Sequence, residues 1–378
     1  MYIFLLTFFL LYGAMHLYVF LKARAAFAFG TGISIYIILF MLIMVLAPLI
    51  VRLSEKHGFE FLARLMSYAG YIWLGLLFLF FCVSIILDIY RLSIYLGGAL
   101  FQKNLSAVIP SARFSFFLPL LFSICIAIYG YFEATDISLD KVTIKTSKIP
   151  KEIGRLKIVQ ISDVHLGLIV REERLKKILQ TVKMAEPDIL VSTGDLVDGQ
   201  INGMGGLAEL LQGINPRYGK FAITGNHEFY AGLSQAMDFT EKAGFRILRG
   251  EGLTVEGLVN IAGVDDPAGN TNELYKGISE KELLSGLPRE KFTLLLKHRP
   301  LIDKNALGLF DLQLSGHTHK GQIFPFSLIT WMYYPVDSGC LKLVDNCYMY
   351  VSRGAGTWGP PIRFLSPPEV TVVELVSQ

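Results

Sequence analysis

Lys157-Ile158-Val159-Gln160-Ile161-Ser162-Asp163-Val164-His165-Leu166-Gly167 is the stretch from which the rest of the chain is read. Residues 157–162 alternate and are rich in β-branched side chains, the pattern of a buried strand. Asp163 and His165 follow, two residues apart, and then Gly167. A carboxylate and an imidazole just past a strand end can face one cation. A single pair of this kind is commonplace at a strand end. Its weight here comes from four further fragments that follow in order.

Downstream of Gly167, strands and helices alternate. Leu175, Ile178, Leu179 and Val182 stand at helical spacing and predict a helix over 172–185, closed by Pro187. A short apolar strand over 188–193 ends in Gly194-Asp195, and a short helix is expected over 206–213. A strand over 221–224 ends in Gly225-Asn226-His227-Glu228, ahead of a helix over 233–243. A hairpin turning at Glu256-Gly257 ends in Gly263-Val264-Asp265-Asp266-Pro267. Strands over 292–296 and 311–314 lead to His298 and to Gly316-His317-Thr318-His319. A hairpin across Asp345-Asn346 and a last strand near 369–376 close the chain. This alternation predicts an α/β layered core, in which ligands bind outside the carboxyl ends of strands. Each fragment sits at such an end.

Two cations about 3.5–4 Å apart can hydrolyse a phosphoester by activating water and neutralising developing charge. They need nitrogen and oxygen ligands and a bridging carboxylate, with a general acid on the leaving-group side. The fragments supply this inventory. Asp163 and His165 can hold a first ion and Asp195 can bridge. Asn226 offers an amide oxygen to a second ion, His298 and His317 complete that site, and His319 can turn back to the first. Five of the seven histidines fall in these fragments. Taken singly, each fragment has an ordinary structural reading: a turn, a helix cap, a strand-end histidine. Their order and placement together carry the metal reading.

The ordered set Asp-x-His, Gly-Asp-x-x-Asp, Gly-Asn-His-Glu, His and Gly-His-x-His resembles the calcineurin-like metallophosphoesterases over residues 155 to about 320. Gly263–Pro267 and Ser352-Arg353-Gly354-Ala355-Gly356 resemble the bacterial membrane-associated branch of that family. The resemblance implies an α/β fold, a β-sandwich flanked by helices. It implies one metal on Asp163, His165, Asp195 and His319 and another on Asp195, Asn226, His298 and His317. His227 would then be the non-ligand histidine that contacts phosphate or protonates the leaving group. Lys320 departs from the branch, which has glycine after the last histidine. Asp198 is expected only to support the loop presenting Asp195. The donor mixture suits two divalent transition-metal ions, Mn, Fe or Zn, better than Mg alone. The alternative, a catalytically silent metal-binding sensor or scaffold, predicts a lost ligand.

The chain is 52% hydrophobic, and the excess lies almost wholly before residue 135. Apolar runs at about 1–21, 33–51, 69–89 and 115–132 each approach the ~20 residues that cross a hydrocarbon core. The expected organisation is a four-helix transmembrane anchor over 1–134, a linker over 135–154 and a metallophosphoesterase domain over 155–378. Lys22 and Arg24 after the first run, with Arg91, Lys103 and Arg113 in the third loop, oppose Arg52, Lys56 and Arg64 in the second. The balance puts the first loop in the cytoplasm and the catalytic domain outside it; the resemblance implies a bacterial inner or plasma membrane. His16 reads as a neutral histidine bonded within the bundle, since no second intramembrane charge offers a partner. The same lack of paired charges argues against a transporter.

A net charge of +3 and no basic run give nucleic-acid binding no support. The expected partners are the lipid bilayer and a phosphoester, lipid-linked in one reading. That reading draws on the uncharged segment Ile323–Pro335, which either dips into the membrane interface or packs into the domain core or against the four-helix anchor. Of four cysteines, Cys340 and Cys347 flank the Asp345-Asn346 turn. A regular hairpin pairs Val344 with Cys347 and Cys340 with Val351, too far apart for a disulfide.

Overall fold

The computed structural model describes residues 2–199, 204–272, 275, 277–334 and 336–378. The chain divides into two compact units, Met1–Phe132 with Gly359–Ile362, and Glu133–Trp358 with Arg363–Gln378.

The first unit is built from α1 (Tyr2–Phe27), α2 (Thr31–Lys56), α3 (Glu60–Phe101) and α4 (Phe114–Glu133). All four are long and apolar enough to cross a membrane. At 1.5 Å per residue the 42 residues of α3 reach about 63 Å, twice a ~30 Å hydrocarbon core. The hydropathy run marks only part of this helix, which continues through Arg91 until Gln102 turns left-handed at its end. Small residues bring α2 and α3 together: Ala47, Ala63, Ser67 and Gly70 are buried, and a Cβ on Gly70 would lie 2.4 Å from that of Ala47. His16 Nδ1 donates to the Tyr12 carbonyl and its Nε2 accepts from Trp73 Nε1, each at 2.8 Å. A neutral ring bonded at both nitrogens is what the sequence suggested. The expectation of no charged pair is corrected, because Asp88 of α3 meets Lys22 of α1 and accepts from Tyr18 at 2.6 Å.

In the second unit the elements are, in order, β1 (Ser138–Thr146), β2 (Arg155–Ile161), α5 (Glu172–Ala185), β3 (Ile189–Ser192), α6 (Leu207–Gln212), β4 (Lys220–Ala222), α7 (Asn226–Ala231) and α8 (Leu233–Lys242). Then come β5 (Arg246–Ile247), β6 (Glu251–Val255), β7 (Val259–Gly263), α9 (Glu280–Ser285), β8 (Phe292–Leu296), β9 (Leu312–Ser315), α10 (Phe326–Tyr333), β10 (Gly339–Val344), β11 (Cys347–Val351) and β12 (Glu369–Ser377). They form two six-stranded sheets, ordered β1-β12-β2-β3-β4-β5 and β10-β11-β9-β8-β7-β6. Strands β2 to β5 are mutually parallel, as are β7, β8, β9 and β11.

Strand alternation assigns the faces. Leu156 and Ile158 of β2 join Ile189, Val191, Ile261, Leu294 and Leu312 in the core between the sheets. Val159 and Ile161 point the other way, onto the apolar stripe of α5 formed by Leu175, Ile178, Leu179 and Val182. A further cluster, with Leu284 of α9 and Phe310, covers the outer face of the second sheet. The result is a β-sandwich flanked by helices.

Strand β1 pairs along its whole length with β12, from Ser138 opposite Glu369 to Thr146 opposite Ser377. In the β10–β11 hairpin Val344 does face Cys347, but a bulge between Lys342 and Val344 shifts Cys340 opposite Tyr350 rather than Val351. All four cysteines are free. The glycine-rich stretch after Asp198 falls partly on residues 200–203, outside the described residues.

Candidate metal centre

The carboxyl ends of β2, β3 and β4 in one sheet and β8 and β9 in the other deliver the seven candidate ligands. Asp163 and His165 follow β2, Asp195 follows β3, and Asn226 opens α7 just past β4. His298 follows β8, and His317 and His319 follow β9. Asp163, His165, Asp195, His317 and His319 all have positive φ, between 47° and 72°. Such backbone costs of order 1 kcal/mol or more per residue and persists where the surroundings over-determine it. Glycines let these loops touch. A Cβ on Gly316 would lie 1.9 Å from Ser162 Oγ, and one on Gly225 would lie 2.2 Å from Asp195 Oδ1.

Three groups of donors form: Asp163, His165 and His319; His165, Asp195 and His227; and Asp195, His298 and His317. Nε2 of His165 faces Nε2 of His319 at 3.0 Å, and the latter lies 3.4 Å from Asp163 Oδ1. Asp195 Oδ2 is 3.2 Å from His298 Nε2 and 3.8 Å from His165 Nε2, so one oxygen faces both halves of the cluster. His298 Nε2 also faces His317 Nδ1 at 3.1 Å. Asn226 Oδ1 is buried and has no hydrogen-bond partner among the described residues.

The electrostatics match this crowding. Burial, with Asp195 beside it, pushes Asp163 up against the pull of His298. Burial acts on Asp195 too, but His298, His227 and His165 outweigh it and hold that carboxyl well below its usual range. Burial, together with nearby cations, holds His317 and His319 well below the usual imidazole value, hence neutral. Burial alone would lower His298, but Asp195 and Asp163 outweigh it and hold that imidazole up at about 10, so a cation there would displace its proton. The neutral imidazoles of His317 and His319, the buried carboxylates and an orphaned amide oxygen are donors a divalent cation takes. The residues present fit two such ions.

Four supporting residues escaped the sequence reading or were given too small a part. Asp198 does more than hold its loop: its Oδ1 lies 3.2 Å from His165 Nδ1 and 3.1 Å from His227 Nδ1. A carboxylate so placed orients both rings. Glu228 accepts from the backbone N–H of Gly225, Asp195 and Leu196 at 2.6–3.0 Å, fixing the Asp195 turn. Its three-residue spacing from Gly225 was a readable capping signal. Ser162 Oγ donates to Asp163 Oδ2 at 2.5 Å.

Arg363 is fully buried and donates to the carbonyls of Gly356, Arg353, Ser366 and Gly354, and to His319 Nδ1 at 3.1 Å. This turns Nε2 of His319 towards Asp163. Arg363→Met would strand those carbonyls at ~1–3 kcal/mol each. Thermal melts should show a loss of at least ~3 kcal/mol, and metal content should fall. An unchanged melting temperature would contradict this role.

Residues 156–321 match the family model described as calcineurin-like phosphoesterase. An uncharacterized metallophosphoesterase of Aquifex aeolicus is 42% identical over 254 residues, covering 67% of this chain and 97% of that protein. The chain belongs to the calcineurin-like metallophosphoesterases. A transmembrane protein with metallophosphoesterase domain from Danio rerio is 31% identical over 337 residues, covering 85% of this chain and 75% of that protein. An uncharacterized metallophosphoesterase of Helicobacter pylori strain 26695 is 33% identical over 305 residues, covering 78% and 80%. This phosphoesterase is therefore a phosphoester hydrolase associated with a membrane. None of the seven expected ligands is missing, as the silent-sensor alternative would require.

Around the metallophosphoesterase cluster stands an aromatic rim. The rings of Tyr230 and Trp358 lie 5.5 and 6.4 Å from His227, and Tyr334 lies 5.7 Å from His317. Arg299, next to His298, is held by Asp266 through Nε at 2.7 Å and Nη2 at 3.0 Å. Arg249 pairs with the adjacent Asp265 at 2.7 Å. Both aspartates of the Gly263–Pro267 segment thus act as arginine anchors.

Proposed function

We propose that this enzyme cleaves a phosphomonoester, phosphodiester or pyrophosphate presented by a membrane, through a two-metal centre on the extracytoplasmic side. Asp163, His165, Asp195 and His319 hold one ion and Asp195, Asn226, His298 and His317 the other, with Mn, Fe or Zn as the metal. The observation that carries this reading is Asp195 Oδ2, which faces His298 on one side and His165 on the other.

Metals held there would supply an activated water and stabilise charge on the phosphoryl oxygens. The protein does the rest. Glu228 locks the turn that aims Asp195. Asp198 accepts from His227 Nδ1 through its backbone carbonyl at 2.7 Å, leaving Nε2 free to protonate the leaving oxygen. Membrane presentation of the substrate is supported by the four apolar helices and by the short join between α4 and β1, residues 134–137.

Hydrolysis by the purified full chain tests the substrate class. Aryl phosphomonoesters and diesters, cyclic nucleotides, phospholipids and lipid-linked pyrophosphates are offered with Mn²⁺. Turnover of a lipid substrate well above the soluble esters is expected, and turnover of soluble esters alone would refute membrane presentation. Orientation is tested separately. A reporter active only outside the cytoplasm should work when fused after Gln378 and fail in the loop 28–30. The reverse pattern would place the site in the cytoplasm.

A further inference from the structure

We infer that α10 is an interfacial helix, whose apolar side chains enter the headgroup and upper acyl region of a lipid bilayer and hold the metal centre at that level. This rests on the membrane-presented substrate proposed above and specifies how the site meets it. The sequence leaves the segment at the interface, in the domain core or against the four-helix anchor. The structure excludes the domain core. Phe326, Leu328, Ile329, Trp331, Met332 and Tyr333 are between 45 and 80% exposed. Only Thr330 within the helix is buried, with Tyr334 just beyond it.

No charged residue occurs from Ile323 to Val336, of which Pro335 lies outside the described residues. Soluble surfaces rarely keep an apolar patch of this kind. Leaving such large apolar side chains in water is unfavourable, and burying them in an apolar environment removes that cost.

A bilayer is the occupant that the rest of the chain makes available. The catalytic unit begins directly after a membrane-length helix, and residues 134–137 span at most ~14 Å. An exposed apolar helix on so short a tether meets lipid at high local concentration. With eight residues, α10 is far short of the ~20 needed to cross, and suits lying in the interface plane. Trp331 and Tyr333 favour the headgroup level. Lys320, just ahead of the segment, adds a cation for anionic headgroups.

The helix is joined to the metal-binding loop at both ends. Its chain leaves His319 through Gly321, where a Cβ would lie 2.4 Å from Ser327 Cα. At the far end Tyr334 packs on His317, and Thr318 Oγ1 donates to the Asp337 carbonyl at 2.6 Å. Seating α10 in lipid therefore seats His317 and His319 against the membrane surface.

The test uses the full chain in vesicles of phosphatidylcholine and phosphatidylglycerol carrying nitroxide lipids. The Trp331 signal is the difference between the native chain and Trp331→Phe. Quenching by headgroup and upper-chain nitroxides, with shielding from aqueous iodide, is expected. Quenching by iodide alone overturns the inference, and so does shielding from both, which would mean a protein partner or a second copy covers the helix.

A second arm uses Ile329→Glu with Met332→Glu. Turnover of the lipid substrate should fall at least roughly tenfold while a soluble aryl phosphate is unaffected. Equal loss on both, or on neither, overturns the inference. If lipid nitroxides quench Trp331 but no lipid substrate is turned over, the helix inserts as inferred and the membrane-presented substrate is what fails.

Discussion

Asp195→Asn is expected to lower kcat/KM on the order of 10³-fold and to reduce bound metal from about two ions per chain to fewer than one. The substitution keeps the shape of the side chain and removes its charge. Asn tolerates left-handed backbone, so the φ of 52° at this residue gives no reason for the fold to fail. Oδ1 accepts from the His227 N–H at 2.8 Å, while Oδ2 faces His298 and His165. An amide offers one oxygen where the carboxylate offers two, so it cannot serve the backbone and both metal positions together. Both sites should weaken, as measured by elemental analysis of the purified variant. A variant that keeps two ions and full turnover would exclude Asp195 as the bridge.

The site's inventory was legible because it is local. Each candidate ligand follows a short apolar strand, and strand ends are marked by glycine and a change of periodicity. Arg363 was not legible. It reaches His319 from 44 positions along the chain, and its partners are backbone carbonyls that leave no mark on the sequence. The left-handed backbone at Asp163, His165 and His319 was equally hidden, since no residue type there demands it. Tertiary contacts impose that geometry.

Helix α3 outran its hydropathy signal for a different reason. Apolarity reports what a membrane accepts, whereas helix length depends on where the chain meets a breaker, and none intervenes between Asp88 and Gly97. The Cys340 register missed by one residue because a bulge adds a residue without any compositional sign. Asp88 was visible as a charge in an apolar run. Its partners Lys22 and Tyr18 lie on another helix, and only the packing of α1 on α3 joins them.

His227→Ala separates proton donation from metal binding at the second critical position. Burial alone would lower this imidazole, but the carboxylates of Asp195 and Asp198 outweigh it and hold His227 up at about 10. Cations bound at Asp195 would offset part of that pull, leaving Asp198 as the nearer anion. With Nδ1 donating to the Asp198 carbonyl, Nε2 is the atom free for substrate. Metal content should stay near that of the native enzyme, because Asp163, His165, Asn226, His298, His317 and His319 remain. The value of kcat should fall by roughly 10²–10⁴-fold, the scale of general acid catalysis. The loss should be largest for alkyl esters, whose leaving oxygen needs the proton, and small for nitrophenyl esters, whose leaving group departs as the anion. An equal loss on both would make His227 a phosphate contact without proton transfer. Loss of metal would make it a ligand, consistent with its place beside His165 and Asp195 in the second donor group.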